Sequence, residues 1–264
     1  MPREVTERIA LGMVEAWPDR VSHIEGHAIY GWDGLLVALS NLADDELNVT
    51  LVEREPEDPL GALSRAEWLF RAHGRVLGVE LERGRHPALE RAARMLGLYP
   101  AVTRPAMAAE VADLAPPAPR EGVSFRRVRT REVLAAMVEL EVEIFPTERD
   151  VAERLFGPRT LERTGTRMSI ATVEGRAVAM AYVHVHEGAI GVFGVGTLPT
   201  FRRRGIGGAI TAFAIDEASE GADLAWLQPT ALGRSVYEAM GFRPVAMWQV
   251  WTLPAARRER AHGV

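Results

Sequence analysis

The 264-residue chain contains no cysteine and no lysine. Without cysteine there is no disulfide, no thiol nucleophile and no cysteine-ligated metal. Without lysine there is no Walker-type phosphate loop, which places a lysine after its last glycine. No apolar run approaches the roughly 18 residues that mark a membrane span, and no N-terminal signal pattern appears. The expectation is a soluble cytoplasmic protein with no membrane partner. Positive charge is also short. The formal net charge of −5 argues against a nucleic-acid partner, whose phosphates demand basic patches. All 31 basic residues are arginine, beside plentiful alanine, glycine and proline. That pattern fits a genome biased toward G and C, so an arginine run alone says little about function.

What is present is concentrated in one stretch, Gly191–Ala209. An apolar, β-branched run, Ile190 to Thr197, reads as a strand and Pro199 stops it. Arg202, Arg203 and Arg204 follow, then Gly205-Ile206-Gly207-Gly208, then an alanine-rich helical pattern to Ala218. Strand, basic glycine turn and helix make a site for phosphate. Glycines let successive backbone N–H groups face one concavity, and a helix head adds unpaired donors and partial positive charge. A dinucleotide fingerprint does not fit. Pro199 stands where the third glycine after Gly194 and Gly196 belongs, and Ile210 where it belongs after Gly205 and Gly207. The pattern left is Arg/Gln-x-x-Gly-x-Gly/Ala, here Arg202 to Gly207.

With Val195-Gly196-Thr197-Leu198-Pro199 before it, this pattern closely resembles the acyl-CoA loop of the GNAT acetyltransferase superfamily. Downstream, Leu224–Gln228 reads as a short buried strand. Thr230 to Phe242 then resembles that superfamily's second motif, a helix that carries a tyrosine and ends in Gly-Phe. Gly241 suits a left-handed cap there. The resemblance covers Val123 to Leu253, half of the chain. It implies an α/β fold of the α+β type, a mixed, mostly antiparallel sheet flanked by helices. It implies an acyl-CoA-dependent N-acyltransferase. The co-substrate would be acetyl-CoA or another acyl-CoA, with no metal. The acceptor would be a primary amine of a small molecule or protein, attacking directly. A homodimer is one assembly it leaves open. Backbone N–H groups of Arg203, Arg204, Gly205, Ile206, Gly207 and Gly208, with Arg202 beside them, would hold the pyrophosphate. Val195, Gly196 and Thr197 would pair with the pantetheine arm like an added strand. That pairing needs an open sheet edge, which Gly194 and Gly196 would ease by allowing a bulge. Simple packing against a bulky neighbour would explain those glycines equally.

The chain divides into residues 1–114, a proline-rich linker at 115–122, a domain at 123–254 and a charged tail at 255–264. Three prolines at 116–119 favour a stiff extended segment over a packed one. Before the linker, Leu47–Val52, Leu60–His73, Val76–Leu81, Pro87–Leu96 and Gly97-Leu98 repeat the element order of Ala189–Phe242. Two tandem domains are therefore expected, against an unrelated α/β domain of similar order. Glu53-Arg54-Glu55-Pro56-Glu57-Asp58 stands where the first copy's glycine loop belongs. Acidic side chains there would repel a pyrophosphate, so the first copy reads as degenerate.

Acyl transfer also needs a neutral amine and a proton for the leaving thiolate. Tyr237 is the candidate acid, with Ser235 or Thr230 assisting through water. The alternative is a ring that packs and a hydroxyl that finds a partner. No carboxylate lies on Ala189–Thr197. His184 and His186, two apart on one strand face, are candidate bases, with Glu187 beside them and Glu139, Glu141 and Glu143 on a helix. A water chain without a single base serves as well. Trp226, Trp248 and Trp251 are candidate pocket walls or core. The missing carboxylate keeps a non-catalytic acyl-CoA sensor in view, and an interaction module is a third reading.

Overall fold

A computed structural model of the chain describes residues 3–115, 117–118 and 121–254. Pro116, Pro119 and Arg120 of the expected linker, and the expected tail at 255–264, lie outside the described residues. The described chain forms two compact units. The first contains residues 13–105 and 246–254, the second residues 3–12 and 106–245. The changeovers fall inside regular elements and not in the proline stretch at 115–122. The opening helix α1 (Arg3–Val21) crosses one of them and runs on through Pro18. Burial of Val21 and Ile24 favours this last turn, although Pro18 forfeits one helix hydrogen bond.

In the first unit, β1 (Ala28–Trp32) and β2 (Leu35–Leu39) form a hairpin through Asp33-Gly34. Strand β3 (Asn48–Val52) follows, then α2 (Pro59–Ala72), β4 (Gly78–Glu82), α3 (Pro87–Met95) and β5 (Tyr99–Glu110). The last strand of the chain, β11 (Arg243–Thr252), pairs antiparallel with β4. Strands β2 and β3 are antiparallel, and β3 and β4 parallel. The core gathers Leu35, Val37, Leu63, Phe70, Leu89 and Trp251. Trp251 is therefore core and not a pocket wall.

The second unit contains β6 (Val123–Arg127), α4 (Arg131–Ile144), α5 (Arg149–Leu155), β7 (Thr166–Val173), β8 (Arg176–His186) and β9 (Ala189–Thr197). Helix α6 (Ile206–Asp216), β10 (Leu224–Leu227) and α7 (Arg234–Ala239) complete it. The strand order is β5-β10-β9-β8-β7-β6, and only β9 and β10 are parallel. The expected mixed, mostly antiparallel sheet flanked by helices is found. Helix α6 lies on one face, where Phe213 stacks on Phe125 at 5.6 Å. Helices α4 and α5 lie on the other, where Phe156 meets Tyr182 at 6.5 Å.

The two units repeat a local design. In each, an antiparallel strand, a strand, a helix and a parallel strand lead into a helix ending in glycine and an apolar residue. Leu98 N–H donates to Ala93 O (2.9 Å) and Gly97 N–H to Arg94 O (2.9 Å). Phe242 N–H donates to Tyr237 O (3.0 Å) and Gly241 N–H to Glu238 O (3.2 Å). These are the paired bonds of one helix-capping motif. The described part of the linker is packed and not free. Ala115 N–H donates to Met240 O (3.0 Å), and the Pro117 ring fills the notch at Gly208, where a Cβ would come within 2.8 Å of it.

Candidate active site

Strand β9 departs from a regular strand in three ways. It runs beyond its parallel partner: β10 ends with Leu227 opposite Val192, and β9 continues to Thr197. Among the described residues of this unit, Phe193 to Thr197 therefore have no strand on the β10 side. It also bulges. Tyr182 of β8 pairs with Phe193 and Met180 with Gly196, so one β8 residue opposes Gly194 and Val195. Gly194 has φ +55°, and a Cβ there would overlap the Tyr182 ring. Only glycine meets both demands at once. Finally, β9 ends against the head of a helix. The open edge and the bulge expected around Val195, Gly196 and Thr197 are thus present.

The loop after β9 is held by its own arginines. Arg202 Nε–H donates to Thr197 O (3.1 Å). Arg204 donates to Thr200 O (3.2 Å) and lies 4.9 Å from the centre of the Phe201 ring. Arg203 is exposed with φ +63°. Gly205 caps α6 in the left-handed conformation (φ +76°), with no side-chain cap, and no acidic residue occupies the first turn. Ala209 N–H is bonded to Gly205 O (3.0 Å). The N–H groups of Ile206, Gly207 and Gly208 precede that bond and sit at the positive end of the helix. Thr197 Oγ1 borders Gly207. Gly208 is buried, and Pro117 and Val236 crowd its missing side chain. Packing as well as access therefore calls for glycine at 208.

Tyr237 lies on α7, nearly buried, edge-on to Phe242 at 5.9 Å. Desolvation pushes its phenol up to about 12, against a smaller lowering by a hydrogen bond with Thr211. Thr211 donates in turn to Gly207 O (2.8 Å). The tyrosine is therefore linked through one hydroxyl to the turn that opens α6. Thr230 accepts from Gly233 N–H (3.3 Å) at the start of α7.

The candidate bases are not brought to this end of β9. His184 pairs across from Gly191 and His186 from Ala189, whereas Met180 faces Gly196. At about 3.3 Å per residue, His184 sits about 13 Å along the strand from that last position, and His186 farther. His184 is buried, its Nδ1 3.4 Å from Thr166 Oγ1. His186 lies 4.0 Å from the Glu187 carboxylate. Glu139 pairs with Arg149 (2.7 Å), Glu141 accepts from Thr147 (2.9 Å) and Glu143 pairs with Arg176 (3.3 Å). Among the described residues, no group of three or more metal-ligating side chains occurs, and no helix is long and apolar enough to cross a membrane.

Sequence reasoning did not find the aromatic row over the bulge. Tyr182 stacks on Phe193 (5.9 Å, 16°), and Phe193 meets the edge of Trp226 (5.4 Å, 85°). Ile144 and Phe145 press on Gly196, where a Cβ would lie 2.6 Å from Ile144 Cγ2. Gly194 allows the bulge, and both glycines are packed against bulky neighbours. Trp226 is a wall of this row, while Trp248 is buried in the first unit.

The model of one protein family, described as acetyltransferase (GNAT) domain, matches residues 164–244. No curated protein matches the chain. A GCN5-related N-acetyltransferase from Kribbella flavida is similar in structure over 94% of this chain and 95% of its own, at 24% identity and a TM-score of 0.74. A functionally unknown conserved protein from Staphylococcus epidermidis is similar over 87% of this chain and 94% of its own, at 15% identity and a TM-score of 0.64. A tandem GNAT protein from the clavulanic acid biosynthesis pathway is similar over 83% of this chain and 77% of its own, at 18% identity and a TM-score of 0.60. At these identities the likeness is one of fold.

Proposed function

We propose, from the premise that residues 164–244 are an acetyltransferase (GNAT) domain, that the chain is an acyl-CoA-dependent N-acyltransferase. The observation that carries this reading is the bulged, overhanging end of β9 leading into the uncapped head of α6. An acyl-CoA supplies an activated thioester, most simply an acetyl group. The chain's part is to hold it. Backbone N–H groups from Arg203 to Gly208, at the uncapped head of α6, would hold the pyrophosphate. The open edge from Val195 to Thr197 offers main-chain donors and acceptors to an extended amide-bearing arm. Tyr237 keeps its proton across the working pH range. As an acid weaker than the thiol it would form, it would relay a proton to the leaving thiolate while taking one from solvent, once its hydroxyl turns from Thr211. The acceptor is a primary amine of a small molecule or protein, and the negative net charge of the chain does not favour nucleic acid.

The test is calorimetry with acetyl-CoA, followed by thiol release with a panel of amines. One CoA bound per chain and amine-dependent thiol release are expected. No binding at millimolar acetyl-CoA defeats the proposal. A second reading, a non-catalytic acyl-CoA sensor, has its own support. His184 and His186 lie toward the other end of β9, and Glu139, Glu141 and Glu143 already have partners. Tight binding with no release above the uncatalysed rate for any amine would favour the sensor.

A further inference from the structure

The first unit has a strand, turn and helix of its own, β3, residues 53–58 and α2, and there the turn is filled from within. Asp33, at the tip of the β1–β2 hairpin, directs its carboxylate onto that turn. Its Oδ1 accepts from Glu57 N–H (3.0 Å) and its Oδ2 from Asp58 N–H (3.1 Å). Gly34 O accepts from Glu53 N–H (2.9 Å) and Arg54 N–H (3.3 Å). Asp58 Oδ1 accepts from Gly61 N–H (3.0 Å). Five of the seven N–H groups from 53 to 61, those of Glu53, Arg54, Glu57, Asp58 and Gly61, thus have an acceptor within the unit. The next helix head is filled likewise: Glu55 Oε1 accepts from Ala88 N–H (2.7 Å) and Leu89 N–H (3.2 Å) of α3. Helix α6 is headed by Gly205, which has no side chain to play that part.

Asp33 is not a local turn-capping residue, since it reaches its partners from 24 and 25 positions away. It has φ +42°, a conformation unusual for a residue with a side chain. A Cβ at Gly34 would come within 2.5 Å of Arg54, so the hairpin tip is seated directly on the turn. The Glu57 and Asp58 N–H groups, and secondarily Arg54, hold the Asp33 carboxyl below the usual carboxylate range. That is the behaviour of an anion bound by amides.

We infer that the Asp33 carboxylate is a built-in ligand of the first unit, bound where the second unit would bind an external phosphate. By this contact the first unit is closed to the cofactor. The inference rests on the proposed acyl-CoA site at Gly205, because the equivalence of the two turns gives it meaning. Replacing Asp33 should then free the Glu57 and Asp58 amides for an external anion, held only weakly because the acidic side chains at 53–58 oppose it.

The experiment uses the full chain in a Gly205→Asp background, which removes the second unit's site, and inorganic pyrophosphate as the probe in calorimetry. Gly205→Asp alone should be silent. Adding Asp33→Gly, which keeps the positive φ and removes the carboxylate, should give one pyrophosphate per chain. Adding Asp33→Asn, which keeps the turn and one acceptor oxygen, should give binding at least about 10-fold weaker than the glycine variant. Pyrophosphate should also slow amide exchange at Glu57 and Asp58 in the Asp33→Gly chain. If both double variants fold as the parent does and neither binds pyrophosphate, the inference is overturned. Pyrophosphate binding by Gly205→Asp alone, with Asp33 in place, also overturns it if the protected amides are Glu57 and Asp58. CoA binding undiminished in Gly205→Asp instead strikes the proposed cofactor site, so the two failures are distinguishable.

Discussion

Strands β3 and β9 occupy the same place in their units, each between an antiparallel neighbour and a parallel one, and they end differently. Strand β3 pairs with β2 in unbroken register from Asn48 to Val52. Its pairing with β4 reaches Leu51, one residue before the strand ends. Strand β9 breaks register against β8 at Gly194 and Val195 and runs five residues past Val192, its last partner on β10. A regular strand with both edges paired has no main-chain groups to offer a ligand. A bulged, overhanging one does, and its glycines are the means. The helix after each strand follows suit: α2 has Asp58 as its cap, while α6 has a bare glycine. The proposed cofactor site thus rests on a set of linked departures from regularity that the first unit does not share.

The sharpest way to break the comparison is to spoil the helix head in the second unit. Gly205 has open space around its missing side chain, so Gly205→Asp can be accommodated with only the cost of a non-glycine residue at positive φ, about 1 kcal/mol. The new carboxylate would project in front of α6, as Asp33 does at α2. CoA binding by calorimetry should fall by at least about 100-fold, which corresponds to about 2.7 kcal/mol. Thermal unfolding should shift by only a few degrees. Retained affinity would place the cofactor elsewhere.

The next largest effect should come from the bulge. Gly194→Val adds a β-branched side chain at φ +55°, against the Tyr182 ring. Backbone strain and overpacking each cost about 1–3 kcal/mol, so unfolding by denaturant should show a loss of a few kcal/mol, with CoA affinity lowered too. Gly74→Ala, in the first unit at φ +65° with nothing within 4 Å, should incur the backbone part alone. If the two substitutions destabilise equally, the bulge is not packed as described.

Much of the loop was legible because its signal is local. Glycines, a proline and arginines within ten residues of a β-branched run specify strand, turn and helix head without tertiary information. The acidic turn at 53–58 was legible in the same way as a place where phosphate would not sit. What fills it was not, since Asp33 reads as an ordinary hairpin residue until the β1–β2 tip is docked. Register was the larger gap. Which β8 residue faces Gly196 depends on the β8–β9 pairing beyond the bulge, and that bulge involves Tyr182, whose spacing marks it only as one inward residue among several. The linker misled for a related reason: prolines favour extension, but Pro117 has a glycine notch to fill.

The smallest expected change in stability, and the finest test of the comparison, concerns Tyr237. Four residues before its helix-ending glycine the first unit has Ala93, fully buried, and the second has Tyr237. The phenol is thus an addition to a common frame, and it can be removed without touching that frame. Tyr237→Phe keeps the ring against Phe242 and loses the bond to Thr211, which should lower stability by about 1 kcal/mol. The pH dependence follows from the raised phenol. In the folded chain it ionises near 12, against 10.0 for the free side chain. A pKa raised on folding gives stability that is complete below pH 10 and is lost as pH rises through 12. That rise corresponds to about 2–3 kcal/mol, so wild type should lose stability between pH 10 and 12 more steeply than the phenylalanine variant. Parallel alkaline profiles would mean that the hydroxyl is solvated. At neutral pH the variant should bind CoA as wild type does, because the phosphates are held at Gly205. Single-turnover acyl transfer should nonetheless slow by about 100-fold if the phenol protonates the leaving thiolate. Transfer at the wild-type rate would leave protonation to water and make Tyr237 the packing counterpart of Ala93.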